Sequence, residues 1–190
     1  YAQVWRDATL VNSLSPIERV VILHGAERAG EARGLAGYLT AIGIQARMDD
    51  GIQAPGGPPE RLVALPCGHV NTAAVSEFLA RLGVFAEAGV DSIVIISRSG
   101  FAPVFGFAQS LSLEMPKLPI LAVKADASAT MALPALAQVN PGVRLLRIGA
   151  DDVCQGMALE PWTPAPAQSI PLQPGDVVAI SGGAKGITAE

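Results

Sequence analysis

The chain is poor in aromatic and charged residues. Only 5% of its residues are aromatic and 16% are charged, whereas 50% are hydrophobic. Such a composition supplies a sizeable aliphatic core, and a net charge of −4 gives no indication of a general nucleic-acid binder. No apolar run reaches membrane-spanning length, and the first residues do not show the charged region followed by an apolar region that is typical of a signal peptide. We therefore expect a cytoplasmic protein without nucleic-acid or membrane partners.

Cysteine and histidine are also scarce. Cys67 and Cys154 lie far apart and have no C-x-x-C partner, which favours two reduced thiols in a cytosolic protein. The segment Cys67-Gly68-His69 cannot complete a tetrahedral zinc site without distant carboxylates. We interpret it as a turn before a helix, and we expect no metal site.

Apolar, β-branched runs alternate with helical stripes at about 25 to 30 residues per unit, a rhythm typical of βαβ crossovers. This pattern predicts an α/β fold, a Rossmann-like three-layer sandwich with a mostly parallel sheet. Strands are predicted at 19–24, 44–48, 61–65, 92–96 and 119–123, and the runs 19–24 and 92–96 have the pattern of buried strands. Edge strands are predicted at 1–6 and 143–148.

Three helices are predicted between these strands. The first covers 27–42, with Leu35, Tyr38, Leu39 and Ile42 on one face and Gly43 as its stop. The second begins after Asn71 and ends at Gly89, with one apolar face formed by Val75, Phe78, Leu79, Leu82 and Phe85. The third covers 104–114 and stops before Pro116.

Five prolines between Gly149 and Gly175 predict a stiff, extended crossing segment between two lobes. We expect residues 1–149 to form a structural subdomain and residues 150–175 to form the crossing segment. Residues 176–190 are then expected to be the first strand and turn of a second, truncated lobe, and we interpret the chain as a piece of a longer protein.

The first strand-to-helix turn, His24 to Gly30, is where a doubly wound fold would bind a dinucleotide. It lacks G-x-G-x-x-G, and Glu27 would oppose a pyrophosphate. Asp49 and Asp50 occupy the place of a ribose-binding acid after the second strand. We expect this lobe to keep the scaffold without a working nucleotide site.

Residues 97–100, S-R-S-G, resemble a strand-to-helix elbow but do not match G-x-S-x-G. A hydrolase that uses Ser97 or Ser99 is therefore a weak alternative, because no histidine is well placed to serve either serine.

The segment 181–187, S-G-G-A-K-G-I, has the features of a phosphate-binding turn after the apolar run 177–180. Two adjacent glycines allow a sharp turn, and a third allows close approach of helix and cofactor. The lysine charge favours the 2′-phosphate of NADP, although a plain glycine-rich loop is the alternative. The predicted cofactor-binding residues are Ser181, Gly182, Gly183, Lys185, Gly186 and Ile187.

Three segments of the chain resemble motifs of a known protein family. Residues 181–188 are similar to the T-G-x-x-x-G-I-G fingerprint of short-chain dehydrogenases, with Ser181 for Thr and Thr188 for the last Gly. Residues 105–116 are similar to the W-G-x-x-R-x-x-x-x-E-x-P stretch of polyketide synthase ketoreductases, with Phe105 for Trp and Gln109 for Arg. The opening residues 1–5 also resemble the first strand of those ketoreductases.

The resemblance implies the structural subdomain of a ketoreductase in a type I polyketide synthase, closest to the synthases of polyunsaturated fatty acids or enediynes. It implies NADPH as the cofactor of the complete domain, held weakly or not at all by this chain alone. It further implies the catalytic subdomain, neighbouring synthase domains and an acyl carrier protein as partners.

The chemistry of that family needs a tyrosine acid, commonly with a lysine four residues later. Only Tyr1 and Tyr38 are present, followed at that spacing by Trp5 and Ile42. We therefore expect no catalytic residues within the chain and place the catalytic Ser, Tyr and Lys beyond Glu190. The alternative function is a free-standing Rossmann-like module that binds a small ligand at the Gly25 turn or another protein, without catalysis.

Overall fold

A computed structural model describes residues 2–8, 18–49, 61–66, 72–98, 102–125, 143–149 and 153–160. Within them, the strands are β1 (Ala2–Asp7), β2 (Arg19–His24), β3 (Gln45–Asp49), β4 (Arg61–Leu65), β5 (Ser92–Ser97), β6 (Ile120–Ala125), β7 (Val143–Ile148) and β8 (Cys154–Glu160). The helices are α1 (Ala29–Ala41), preceded by a short 3-10 helix (Ala26–Arg28), then α2 (Thr72–Glu87) and α3 (Ala102–Glu114).

The eight described strands form one mostly parallel sheet in the order β1-β8-β7-β6-β5-β4-β2-β3. Neighbours from β3 to β7 pair in parallel, whereas β8 runs antiparallel to both β7 and β1. The predicted α/β fold with a mostly parallel sheet is therefore confirmed.

Two apolar layers cover the central strands because alternate side chains of a strand point to opposite faces. On one face, Val20, Ile22 and Val63 pack with α1. On the other, Val21, Leu23 and Leu62 pack with α2 and α3. Burial on both faces explains why these strands are continuous β-branched runs in the sequence.

Helix α1 meets the sheet along a narrower face than its periodicity predicts. Leu35 and Leu39 are fully buried beside Ala32, but Tyr38 is 47% and Ile42 is 52% exposed. Tyr38 and Ile42 were predicted to share one face with Leu35 and Leu39, but the buried face of the helix consists of Ala32, Leu35 and Leu39. The apolar face predicted for helix α2 is confirmed, because its residues Phe78, Leu82 and Phe85 are buried.

Glycines end two helices as predicted. Gly43 and Gly89 both have a φ of 86°, a left-handed conformation in which a Cβ atom would be strained. Each therefore stops its helix and turns the chain towards the next strand.

The edges of the sheet are only partly as predicted. Strand β1 is an edge strand, but the prediction that 143–148 is also an edge strand is wrong, since β7 lies between β6 and β8. Strand β8 was not predicted and lies in the first part of the proposed crossing segment. Its sequence, C-Q-G-M-A-L-E, has no β-branched residue, so its two neighbours rather than its propensity hold it in the sheet. The boundary at residue 149 stays a prediction.

Within the described part of the chain, no helix combines the length and apolarity needed to cross a membrane.

Leu82 tests the assignment of the α2 core. Leu82→Ala removes a fully buried side chain and should lower the free energy of unfolding by about 2–5 kcal/mol, measured by urea denaturation. Leu113, on α3, is 83% exposed. Leu113→Ala is therefore the matched control, expected within about 0.5 kcal/mol of wild type. Equal losses from the two variants would show that the core is assigned incorrectly.

Candidate functional site

The strand order places a topological switch point between β2 and β4. The chain passes from β2 to β3 on one side and then returns to β4 on the other side of β2. Ligands of open α/β sheets bind outside the carboxyl ends of strands at such a point. Those ends are His24 and Leu65, which are register partners. The surroundings of these two residues are therefore the candidate site.

The backbone of the Gly25 turn is already hydrogen-bonded. The Gly25 amide donates to the Leu65 carbonyl oxygen at 3.0 Å, and the Arg28 amide donates to the Gly25 oxygen at 2.9 Å. Gly25 is buried, with an extended backbone at φ −73° and ψ 155°. Its amide is therefore not available to a phosphate group.

The Arg28 side chain spans the carboxyl ends of β4 and β5. It is 4% exposed, and its Nη1 donates to the Ile96 carbonyl oxygen at 2.5 Å and lies 3.5 Å from the Pro66 oxygen. Its Nε and Nη2 donate to the two carboxylate oxygens of Glu31 at 2.8 and 2.7 Å. This bidentate ion pair satisfies the buried guanidinium.

The Glu31 carboxylate also accepts a hydrogen bond of 3.2 Å from Arg98. The Arg98 side chain is 59% exposed. Sequence reasoning did not identify Arg28 or Glu31. The sequence does contain one indication of this pair. An Arg and a Glu stand three residues apart shortly after a buried strand and its closing glycine, and at that spacing they can pair on one turn of a helix. Together they fill the crevice on the α1 side of the switch point with protein side chains.

Asp49 was predicted to occupy the place of a ribose-binding acid. It is 4% exposed, and Arg81 donates to its Oδ2 at 3.0 Å and to its backbone oxygen at 3.1 Å. The carboxylate thus ties α2 to the end of β3. Asp50 lies outside the described residues.

A cavity of about 200 Å³ lies on the α2 side of the switch point. Its walls are formed by the residues His24, Gly25, Ala26, Ala74, Glu77, Phe78 and Arg81. The Nδ1 of His24 is 3.0 Å from the Gly25 oxygen, whereas the buried His24 Nε2 and Arg81 Nε have no hydrogen-bond partner among the described residues. Leaving such a group unsatisfied costs about 1–3 kcal/mol. This cavity is the part of the switch point that retains unsatisfied polar groups.

Ser97 is a described residue, and it does not line this cavity. Ser97 is buried, and its hydroxyl donates to the Val123 carbonyl oxygen at 3.4 Å, so it is not an accessible nucleophile. Ser99 and the segment 67–69 lie outside the described residues. Across the described ranges, no group of three His, Cys, Asp or Glu side chains could hold a metal ion.

The predicted cofactor-binding residues also lie outside the described residues, and their role stays a prediction. They are Ser181, Gly182, Gly183, Lys185, Gly186 and Ile187.

No protein-family model matches the chain, and no curated protein is significantly similar to it.

The buried ion pair can be tested through Glu31. Glu31→Gln leaves the Arg28 charge buried without its counter-charge and should destabilise the fold by about 3–5 kcal/mol in urea denaturation. The double variant Arg28→Met/Glu31→Met should lose less, because neither charge remains. Glu27→Gln, an exposed neighbour on the short 3-10 helix, is the control. A Glu31→Gln variant as stable as Glu27→Gln would contradict the pairing.

Cys154 provides a second test. Burial raises the pKa of its thiol, and the Arg144 charge opposes this effect. The folded protein therefore keeps this proton at pH values where an unfolded chain loses it. This contribution to stability is present below the ordinary thiol pKa of ~8.5 and is lost as pH rises through the folded pKa.

In a Cys67→Ser variant, iodoacetamide should alkylate native Cys154 more slowly than urea-unfolded Cys154 at about pH 8, as followed by mass spectrometry. Equal rates would mean that the thiol is accessible in the folded protein.

Proposed function

We propose that the chain is the structural part of an NADPH-dependent β-ketoacyl-thioester reductase, a ketoreductase domain of a multidomain polyketide or fatty acid synthase. The observation that carries the proposal is the ion pair of Arg28 and Glu31. It occupies the α1 side of the switch point, where an α/β sheet would otherwise receive a nucleotide, so on that side this lobe has the scaffold of a nucleotide-binding domain without room for the nucleotide.

The α/β sheet supports the most general part of this proposal, which is a Rossmann-like lobe. Its parallel strands β2 to β7 have helices on both faces, as a Rossmann-like lobe requires. The finer assignment, a truncated Rossmann-like subdomain of a ketoreductase, rests on the resemblance of residues 105–116 and 181–188. In this proposal the lobe braces the catalytic subdomain and contacts the neighbouring synthase domains and the acyl carrier protein.

NADPH is the proposed cofactor, held through the turn formed by residues 181–187. When bound, it would supply the hydride that reduces the β-keto group. Gly182, Gly183 and Gly186 would let the backbone approach the pyrophosphate, and Lys185 would pair with the 2′-phosphate. In this proposal, the proton that completes the reduction comes from an acid outside the given chain, because neither Tyr1 nor Tyr38 has a lysine four positions later.

The alternative is a non-catalytic module that binds a small ligand or another protein. The version of it that uses Asp49 to bind ribose is weakened, because that carboxylate is buried and paired with Arg81. Asp49 has a structural role in the described fold.

The two functions differ in their response to single substitutions in the complete synthase. Lys185→Ala should raise the KM for NADPH about 10- to 100-fold and leave the KM for NADH unchanged, because only the 2′-phosphate contact is lost. The assay follows nicotinamide absorbance during reduction of a synthetic β-ketoacyl thioester. Lys117→Ala, an exposed lysine of the described lobe, is the matched control.

A synthase that reduces no β-ketoacyl thioester, or in which Lys185→Ala affects NADH and NADPH equally, would overturn the proposal. Asp49→Asn supplies a further comparison. If it weakened NADPH binding in protein that remains folded, the nucleotide would lie at the β2–β4 switch point instead.

A further inference from the structure

A row of polar side chains crosses the sheet at the carboxyl ends of β5, β6 and β7, away from the β2–β4 switch point. Its members are register partners on five adjacent strands: Ser97, Lys124, Arg147, Gln155 and Asp7. Register partners point to one face of a sheet. This is the face that α2 and α3 cover, because the residues two positions before the first three members belong to the core on that side.

Arg147 is held in place by its neighbours in this polar row. Its Nε donates to the Gln155 Oε1 at 2.6 Å, and the Gln155 Nε2 donates to the Asp7 Oδ1 at 3.1 Å. The guanidinium carbon lies 5.1 Å from the centre of the Trp5 ring, a cation–π contact. Arg147 is exposed, and among the described residues its two terminal nitrogens have no hydrogen-bond partner. The arginine is therefore positioned while its end-on donors stay available.

Lys124 places a second cation next to Arg147. The two residues are register partners on neighbouring parallel strands, which lie ~4.8 Å apart. In the part of the chain that the structure describes, neither cation forms an ion pair with a carboxylate. Like charges at neighbouring positions of a sheet repel each other. An anion bound at this place would replace that repulsion with attraction.

Helix α3 contributes to the same electrostatic field. It packs against β6 and β7, and it leads from the carboxyl end of β5 back to the amino end of β6, so its own amino-terminal end lies at the carboxyl edge of the sheet. That end of a helix carries a partial positive charge. The one charged residue of α3, Glu114, is at its opposite end. The helix thus adds positive potential to the polar row and no carboxylate.

These charges fit a doubly charged oxyanion. Lys124 and Arg147 outnumber the single carboxylate of the row, Asp7, which Gln155 separates from Arg147. A phosphate monoester carries about −1.5 to −2 charges at pH 7, and a guanidinium can donate two parallel hydrogen bonds to its oxygens. We propose that this edge of the sheet binds a phosphate dianion, free or as the end group of a small monoester. Arg147 donates to it end-on and Lys124 supplies the second charge.

The test uses the fluorescence of Trp5. The chain has two tryptophans, so Trp162→Phe leaves Trp5 as the reporter, and Lys185→Ala in the same protein removes the lysine of the segment 181–187. At about pH 7.5 and constant ionic strength, phosphate is mostly the dianion. Inorganic phosphate and glycerol 3-phosphate should each change the Trp5 signal saturably in the millimolar range, whereas sodium acetate should not. Tighter binding of glycerol 3-phosphate would identify a monoester as the ligand, and equal binding would identify free phosphate.

Substitutions in the reporter protein test the two cations, with affinities measured by isothermal titration calorimetry. Arg147→Lys keeps the charge but loses the end-on pair of donors, and it should weaken phosphate binding about 10-fold. Lys124→Gln should weaken it several-fold. Lys117→Gln, at an exposed lysine before the amino end of β6, is the matched control and should leave the affinity unchanged.

Three results would overturn the proposal. One is a phosphate response that is linear in concentration. Another is a Lys124→Gln protein that binds phosphate as tightly as the reporter protein. The third is saturable binding of acetate at the same concentrations, because the site would then not select a dianion.

Discussion

The carboxyl end of a parallel sheet presents strand carbonyls that the next residues of the chain must satisfy or expose. In this protein one guanidinium reaches two of these ends: Arg28 donates to the Ile96 oxygen and lies beside the Pro66 oxygen. Glu31, one turn along α1, neutralises its charge. The start of α1 is thereby linked to the ends of two central strands, while Ala32, Leu35 and Leu39 pack the rest of the helix on the sheet.

The switch point is consequently divided into two halves with different chemistry. On the α1 side, Arg28 is paired with Glu31 and with strand carbonyl oxygens. On the α2 side, the Asp49–Arg81 pair links the helix to the end of β3, while two nearby buried nitrogens have no hydrogen-bond partner among the described residues.

The parts that the sequence predicts well are those controlled by local pattern. Strand β5 can be predicted because burial on both faces requires an apolar run. The helix ends at Gly43 and Gly89 can be predicted because glycine readily adopts the left-handed conformation that ends a helix. Strand β8 was missed because its place depends on neighbours distant in the chain rather than on propensity. The contact between Arg28 and Ile96 joins residues 68 positions apart, and no periodicity encodes it. The exposure of Tyr38 likewise depends on the rotation of α1 about its own axis relative to the sheet, which the periodicity does not determine.

The pairing of β1 with β8 has a consequence for the order in which the protein is made. Ala2 is aligned with Glu160, so the first strand waits for a partner synthesised about 150 residues later. At ~5–20 residues per second, that delay is about 8 to 30 seconds on the ribosome. Strands β2 to β7 pair only with one another and with β8, so they can assemble as they emerge. Until β8 emerges, the segment that contains Trp5 therefore lacks the strand with which it pairs in the folded sheet.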